Sequence, residues 1–156
     1  MNLRQSTILL CLGLMTMSLA LSRQANAALG EGADSIAKDR KALSARQRAT
    51  TGTARYTVQE VASDATVVRE FLTPAGVVFA VAWSGLVHPD LTTLLGSYAP
   101  EYKVAKRQLP RRHGQKRTQV KGERVVVETW GHMRNLQGRA YVPTLVPSGV
   151  NLNEIH

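Results

Sequence analysis

Ser84, His88 and Asp90 bring the residue types of a nucleophile triad within seven positions. A working triad is assembled from separated elements, because base and orienting carboxylate must approach the serine from one side. No G-x-S-x-G elbow surrounds Ser84, which follows Trp83 at the end of an apolar run. Asp90 after Pro89 reads better as a helix cap, and Ser84-Gly85 as a turn. The four histidines, His88, His113, His132 and His156, show no i, i+4 spacing, and none has a nearby carboxylate pair at ligand spacing. Gly131-His132-Met133-Arg134 lies where a hairpin turn is expected, and a turn that needs Gly131 explains it without a ligand. Glu60, Glu70 and Glu128 fall in three expected strands. Paired carboxylates could serve acid–base work on a glycan, but Arg55, Arg69 and Arg139 are at hand as cross-strand partners. No metal, cofactor or catalytic residue is expected.

Charge is the stronger signal. The chain of 156 residues carries a formal net charge of +9, from 20 Lys and Arg against 11 Asp and Glu. Nine of the basic residues lie between Glu101 and Arg124: Lys103, Lys106, Arg107, Arg111, Arg112, Lys116, Arg117, Lys121 and Arg124. Only Glu101 and Glu123 oppose them there. No aromatic residue follows Tyr102 in the segment, so it is an electrostatic footprint for anions rather than a base-stacking surface. A solvated loop that only aids solubility is the plainer alternative. Val104, Leu109 and Val120 are too few for an amphipathic membrane helix.

Arg4, the 15 apolar residues Thr7–Leu21 and the polar Ser22-Arg23-Gln24 lead to Ala25-Asn26-Ala27, the pattern of a signal peptide with an A-x-A cleavage site. The apolar run is short for a bilayer span, which takes ~20 residues. Residues 1–27 are therefore expected to leave, with no transmembrane span afterwards. The single cysteine, Cys11, leaves with them, and Leu10 before it argues against lipoprotein acylation. The mature chain then has no disulfide, Cys-ligated metal or c-type haem, and its stability must come from packing.

The stretch Thr66–Tyr98 is where a core would nucleate. Tyr56–Val61 and Thr66–Leu72 read as strands around a turn at Ala62–Ala65. Thr73-Pro74-Ala75-Gly76 is a second turn, and the third strand ends at Gly85. In that third strand Val77, Phe79, Val81 and Trp83 form a large face, and Ala80 and Ala82 a small one that a helix could approach. Pro89–Leu95, closed by Gly96, reads as a short helix. Pro110 and Gly114 break the basic segment. Arg124–Trp130 and Gly138–Val142 make a second hairpin about Gly131–Leu136, and the proline-rich tail from Pro143 to Val150 is expected to wrap a sheet edge. Ahead of these, Asp34–Arg48 has Ile36 and Leu43 seven residues apart, a thin helical stripe, followed by a flexible Thr50–Thr53.

The sum is an α+β domain: an antiparallel sheet of about five strands (meander plus hairpin), with an N-terminal helix and one short helix. Residues 28–55 form a helical or flexible segment, and residues 56–150 the α+β domain with a basic insert at 101–124. The runs ALG near the mature start, YTVQEV, VVREFLTPAGVVFAVAWSG, PDLTTLLGSY, GHMR, GRAYVP and VPSGV resemble a proteobacterial family of small exported proteins described only as a domain of unknown function. The resemblance spans nearly the whole mature chain. It implies export and a shared fold, and supplies no activity, cofactor or catalytic residue. The insert between Tyr102 and Arg124 is where this chain would depart from its relatives.

The expected function is a non-enzymatic cell-envelope binding module, periplasmic or secreted. Its partner would be anionic (lipopolysaccharide, phospholipid or acidic glycan) or another envelope protein; export argues against genomic nucleic acid. The alternatives are a small periplasmic hydrolase acting on glycan or peptide, and an inhibitor of a secreted hydrolase.

Overall fold

The computed structural model describes residues 29–32, 46–110, 114 and 116–156. The expected signal peptide at 1–27 and most of the expected N-terminal helix lie outside the described residues. Seven strands form one antiparallel sheet: β1 (Arg46–Gly52), β2 (Thr57–Ala62), β3 (Thr66–Leu72), β4 (Val78–Gly85), β5 (Arg117–Lys121), β6 (Val126–His132) and β7 (Asn135–Tyr141). Their spatial order is β1-β2-β3-β4-β7-β6-β5. Two meanders are thus joined edge to edge through β4 and β7, from Ala80 opposite Tyr141 to Gly85 opposite Leu136. Between β4 and β5 the chain is helical, as α1 (Leu91–Leu95), a 3-10 turn (Gly96–Tyr98) and α2 (Ala99–Gln108).

The turns follow their residues. Ser63 caps the β2–β3 turn, its backbone N–H 2.9 Å and its hydroxyl 3.0 Å from the Thr66 carbonyl. Gly76 takes φ 79° in the β3–β4 turn, where glycine carries no steric cost. Asp90 caps α1, its carboxylate accepting from the Thr92 N–H at 2.9 Å and the Thr93 hydroxyl at 2.9 Å.

The sheet has seven strands, not about five. The two that were missed are its edges: β1, in place of a helix running to Arg48 and a flexible Thr50–Thr53, and β5, inside the basic segment. Both are polar, RQRATTG and RTQVK, and an edge strand needs no apolar alternation because its backbone pairs on one side and its charges face water. The basic segment begins inside α2, which starts at Ala99 with Pro100 in its first turn, where the missing N–H costs nothing.

Each face of the sheet has its own cover. On one, Val61, Val68, Val81, Trp83, Val120 and Val127 pack against Leu94, Leu95, Ala99 and Tyr102 of the helices and against Leu29. On the other, Phe71, Phe79, Ala80, Ala82, Val126 and Tyr141 pack against Ile155 and the chain from Leu145 to Leu152. The tail therefore crosses a face of the sheet and does not wrap its edge. The small face of β4 receives this strap, not a helix. A bulge in the β3–β4 ladder, where Phe71 faces Ala80 and Leu72 faces Val78, leaves Phe79 as the extra residue. It turns Phe79 to the strap side beside Ala80, so the face drawn through Phe79, Val81 and Trp83 is broken there.

Candidate functional site

Alternation along β4 places Ser84 on the strap face, with Ala82, whereas Trp83 points to the helix face. The Trp83 indole N–H donates to His88 Nδ1 at 3.0 Å. Ser84 and His88 are thus on opposite sides of the sheet, and with Asp90 engaged as a cap no triad forms. Glu60 pairs with Arg69 across β2 and β3 at 3.0 Å, and Glu128 with Arg139 across β6 and β7 at 2.7 Å. The cross-strand reading of these carboxylates holds, although Glu128 and Arg139 are buried and not outward. Glu70 is buried as well, at 1 % exposure, on the opposite face from both. His132 ends β6 opposite Asn135 in the hairpin. Gly131 there has φ 106°, and a Cβ on it would collide with the Asn135 carbonyl. Among the described residues no three His, Cys, Asp or Glu side chains are grouped to hold a metal ion, and no helix is long and apolar enough to cross a membrane.

The structure divides the nine basic residues. Arg111 and Arg112 lie outside the described residues, as does His113. Arg124 is held by Glu101 of α2, whose carboxylate accepts from the Arg124 N–H at 2.7 Å and its Nε at 3.1 Å, and the guanidinium stands 5.0 Å from the Tyr98 ring centre. Burial alone would raise the Glu101 carboxyl; the Arg124 and Val125 donors outweigh it and hold it below its ordinary value. Arg117 on β5 donates to Glu128 at 3.1 Å and lies over Trp130. Arg107, Lys116 and Lys121 are exposed. Lys103 and Lys106 are exposed too, but both stand on α2 at the lip of a cleft.

This cleft, about 540 Å³, opens between α2, the loop leading into α1, and strands β5 and β6. Lys103, Lys106 and Tyr102 form one wall, His88, Pro89 and Leu91 another, and Thr118, Val120 and Thr129 the floor. It exists because α2 is drawn down by Glu101 onto the β5–β6 turn, leaving the far end of those strands uncovered. Thr118 and Thr129 are direct cross-strand partners, and neither hydroxyl has a hydrogen bond to another described residue. The Lys106 ammonium stands 5.5 Å from the Tyr102 ring centre. Burial, and then the charge of Lys106, hold the His88 imidazole below its ordinary value of 6.5. A neutral ring whose Nδ1 accepts from Trp83 carries its proton on Nε2. The Asp90 carboxylate also lines the cleft, but its oxygens are engaged at the start of α1.

A second hollow, about 340 Å³, sits on the strap face among Tyr56, Phe71, Glu60, Arg69, Glu154 and His156. Its charged groups answer one another: Arg69 bonds Glu60 and the His156 carbonyl, and the Tyr56 hydroxyl donates to Glu154 at 3.2 Å.

Sequence reasoning found the two lysines but not the cleft. The threonines look like ordinary strand residues until β5 is seen to pair with β6, and the Trp83–His88 bond crosses the sharp turn at Gly85. No curated protein and no solved structure matches the chain. The family model described as protein of unknown function (DUF2844) matches residues 25–155, so the chain belongs to that family.

Proposed function

We propose that this protein is an exported, non-enzymatic binding module of the cell envelope, periplasmic or secreted, whose helix-face cleft engages an anionic partner. The observation that carries the reading is that Lys103 and Lys106 border an open cleft while Arg117 and Arg124 are already committed to carboxylates. An ammonium at the lip of a low-dielectric recess attracts an anion more strongly than one on open surface. The export part of the reading rests on the leader pattern ending at Ala27. The anionic candidates are lipopolysaccharide, phospholipid and acidic glycan; a protein partner would use the folded sheet instead.

The test is a pull-down from the native envelope with tagged residues 28–156, which hold every described element, washed at low and then high salt. A polyanion released by high salt, and no longer recovered by the Lys103→Gln/Lys106→Gln variant, is the expected result. A stoichiometric protein that survives high salt and ignores both substitutions would overturn it.

A further inference from the structure

The cleft offers more than charge. Two ammonium groups stand at its lip, the His88 Nε2–H is a donor on one wall, and the Thr118 and Thr129 hydroxyls sit side by side on its floor. Leu91 and Val120 add small apolar surfaces. The volume lies within the range of small-molecule sites, roughly 300–1,000 Å³. A simple inorganic anion would use the lysines and leave the floor idle. An acyl chain would bury both threonine hydroxyls without partners, which costs more than the contact returns. A ring bearing several hydroxyls and one negative group uses each of these groups and leaves the Asp90 carboxylate to Thr92 and Thr93: the anion meets Lys103 and Lys106, the hydroxyls exchange hydrogen bonds with Thr118, Thr129 and His88, and its C–H face rests on Leu91 and Val120.

Building on the anion-binding reading above, we infer that the cleft holds an acidic sugar unit, a pyranose-sized polyol carrying a carboxylate or a phosphate. Selectivity then divides between two sets of residues. The lysines choose acidic over neutral sugars, and the threonine pair chooses sugars over other anions. Such a division is expected where buried hydroxyls are left unpaired by the wrong ligand.

Isothermal titration of residues 28–156 tests this with a galacturonate trisaccharide and glucose 1-phosphate, which separate the carboxylate from the phosphate source. A neutral galactose trisaccharide, octanoate and inorganic polyphosphate serve as comparison ligands. At least one acidic sugar should bind while the neutral trisaccharide does not. Lys103→Gln/Lys106→Gln should weaken the acidic sugar at least tenfold. Thr118→Val/Thr129→Val, which keeps β-branched residues on both strands, should weaken it about fivefold or more and leave polyphosphate binding unchanged. Equal acidic-sugar affinity in wild type and threonine variant, or tighter binding of octanoate, would overturn the inference. If no acidic sugar binds but polyphosphate does so through the lysines, this inference falls and the anion-binding reading stands. If polyphosphate binding also survives the lysine substitutions, both fall.

Discussion

Glu128 gathers three side-chain donors on the sheet. Arg139 donates to it at 2.7 Å, Gln119 at 2.7 Å and Arg117 at 3.1 Å, while Arg139 also reaches the Leu152 carbonyl of the strap. Burial would raise its carboxyl, but the hydrogen bonds and charges of Arg139, then Arg117, hold it below its ordinary value. The two arginines are not equivalent. With side chains 11 % and 6 % exposed, Arg139 and Glu128 form a buried pair, whereas Arg117 is 62 % exposed. Glu128→Ala should cost about 3 kcal/mol in urea unfolding because it strands a buried guanidinium, and Arg117→Ala less than about 0.5 kcal/mol. His88 gives a pH signature. Its folded pKa is depressed, so the unfolded chain binds the extra proton first. Its contribution is complete above 6.5 and is lost as pH falls through the lower folded value. Unfolding midpoints should therefore drop on acidification below 6.5, and His88→Gln should flatten this part of the profile.

At the scale of elements, β7 pairs with β4 so that Gly138 faces Trp83 and lies against its ring. A Cβ on Gly138 would overlap Cζ2 of that indole. Gly138→Ala should destabilise the protein by about 2 kcal/mol through overpacking. It should also displace Trp83 from His88, visible as a shifted indole N–H resonance. The strap is anchored by Ile155, which is fully buried; Ile155→Ala should cost about 3 kcal/mol through the cavity it leaves, measured by the same unfolding. The legibility of each element follows the same physics. Strand β3 was read to the residue because turn chemistry at Ser63 and at Thr73–Gly76 brackets it. Strands β1 and β5 were missed because an edge is held by backbone pairing, which leaves no side-chain pattern. The Phe79 bulge was missed because an inserted residue shows only once two strands are aligned. The lysines were legible as charge, but the Thr118–Thr129 floor depends on register, and register is a property of two strands together.

For the whole molecule, the sheet's central strand is served by both ends of the described chain. In the plane of the sheet, Gly30 N–H donates to the Val78 carbonyl at 2.7 Å and Val78 N–H to the Glu31 carbonyl at 2.9 Å, and Leu29 packs on the helix face. On the strap face, Ile155 closes over Phe79 and Ala80. Salt dependence is the global prediction: anion affinity should fall steadily with ionic strength, and stability much less, since the Glu128–Arg139 pair is buried. The separate covers carry a consequence for proteolysis. A cut in the strap between Leu145 and Ile155 would release the cover of Phe79 and Ala80 while the helices stay on the other face, so limited digestion should bare one side of the sheet before the other.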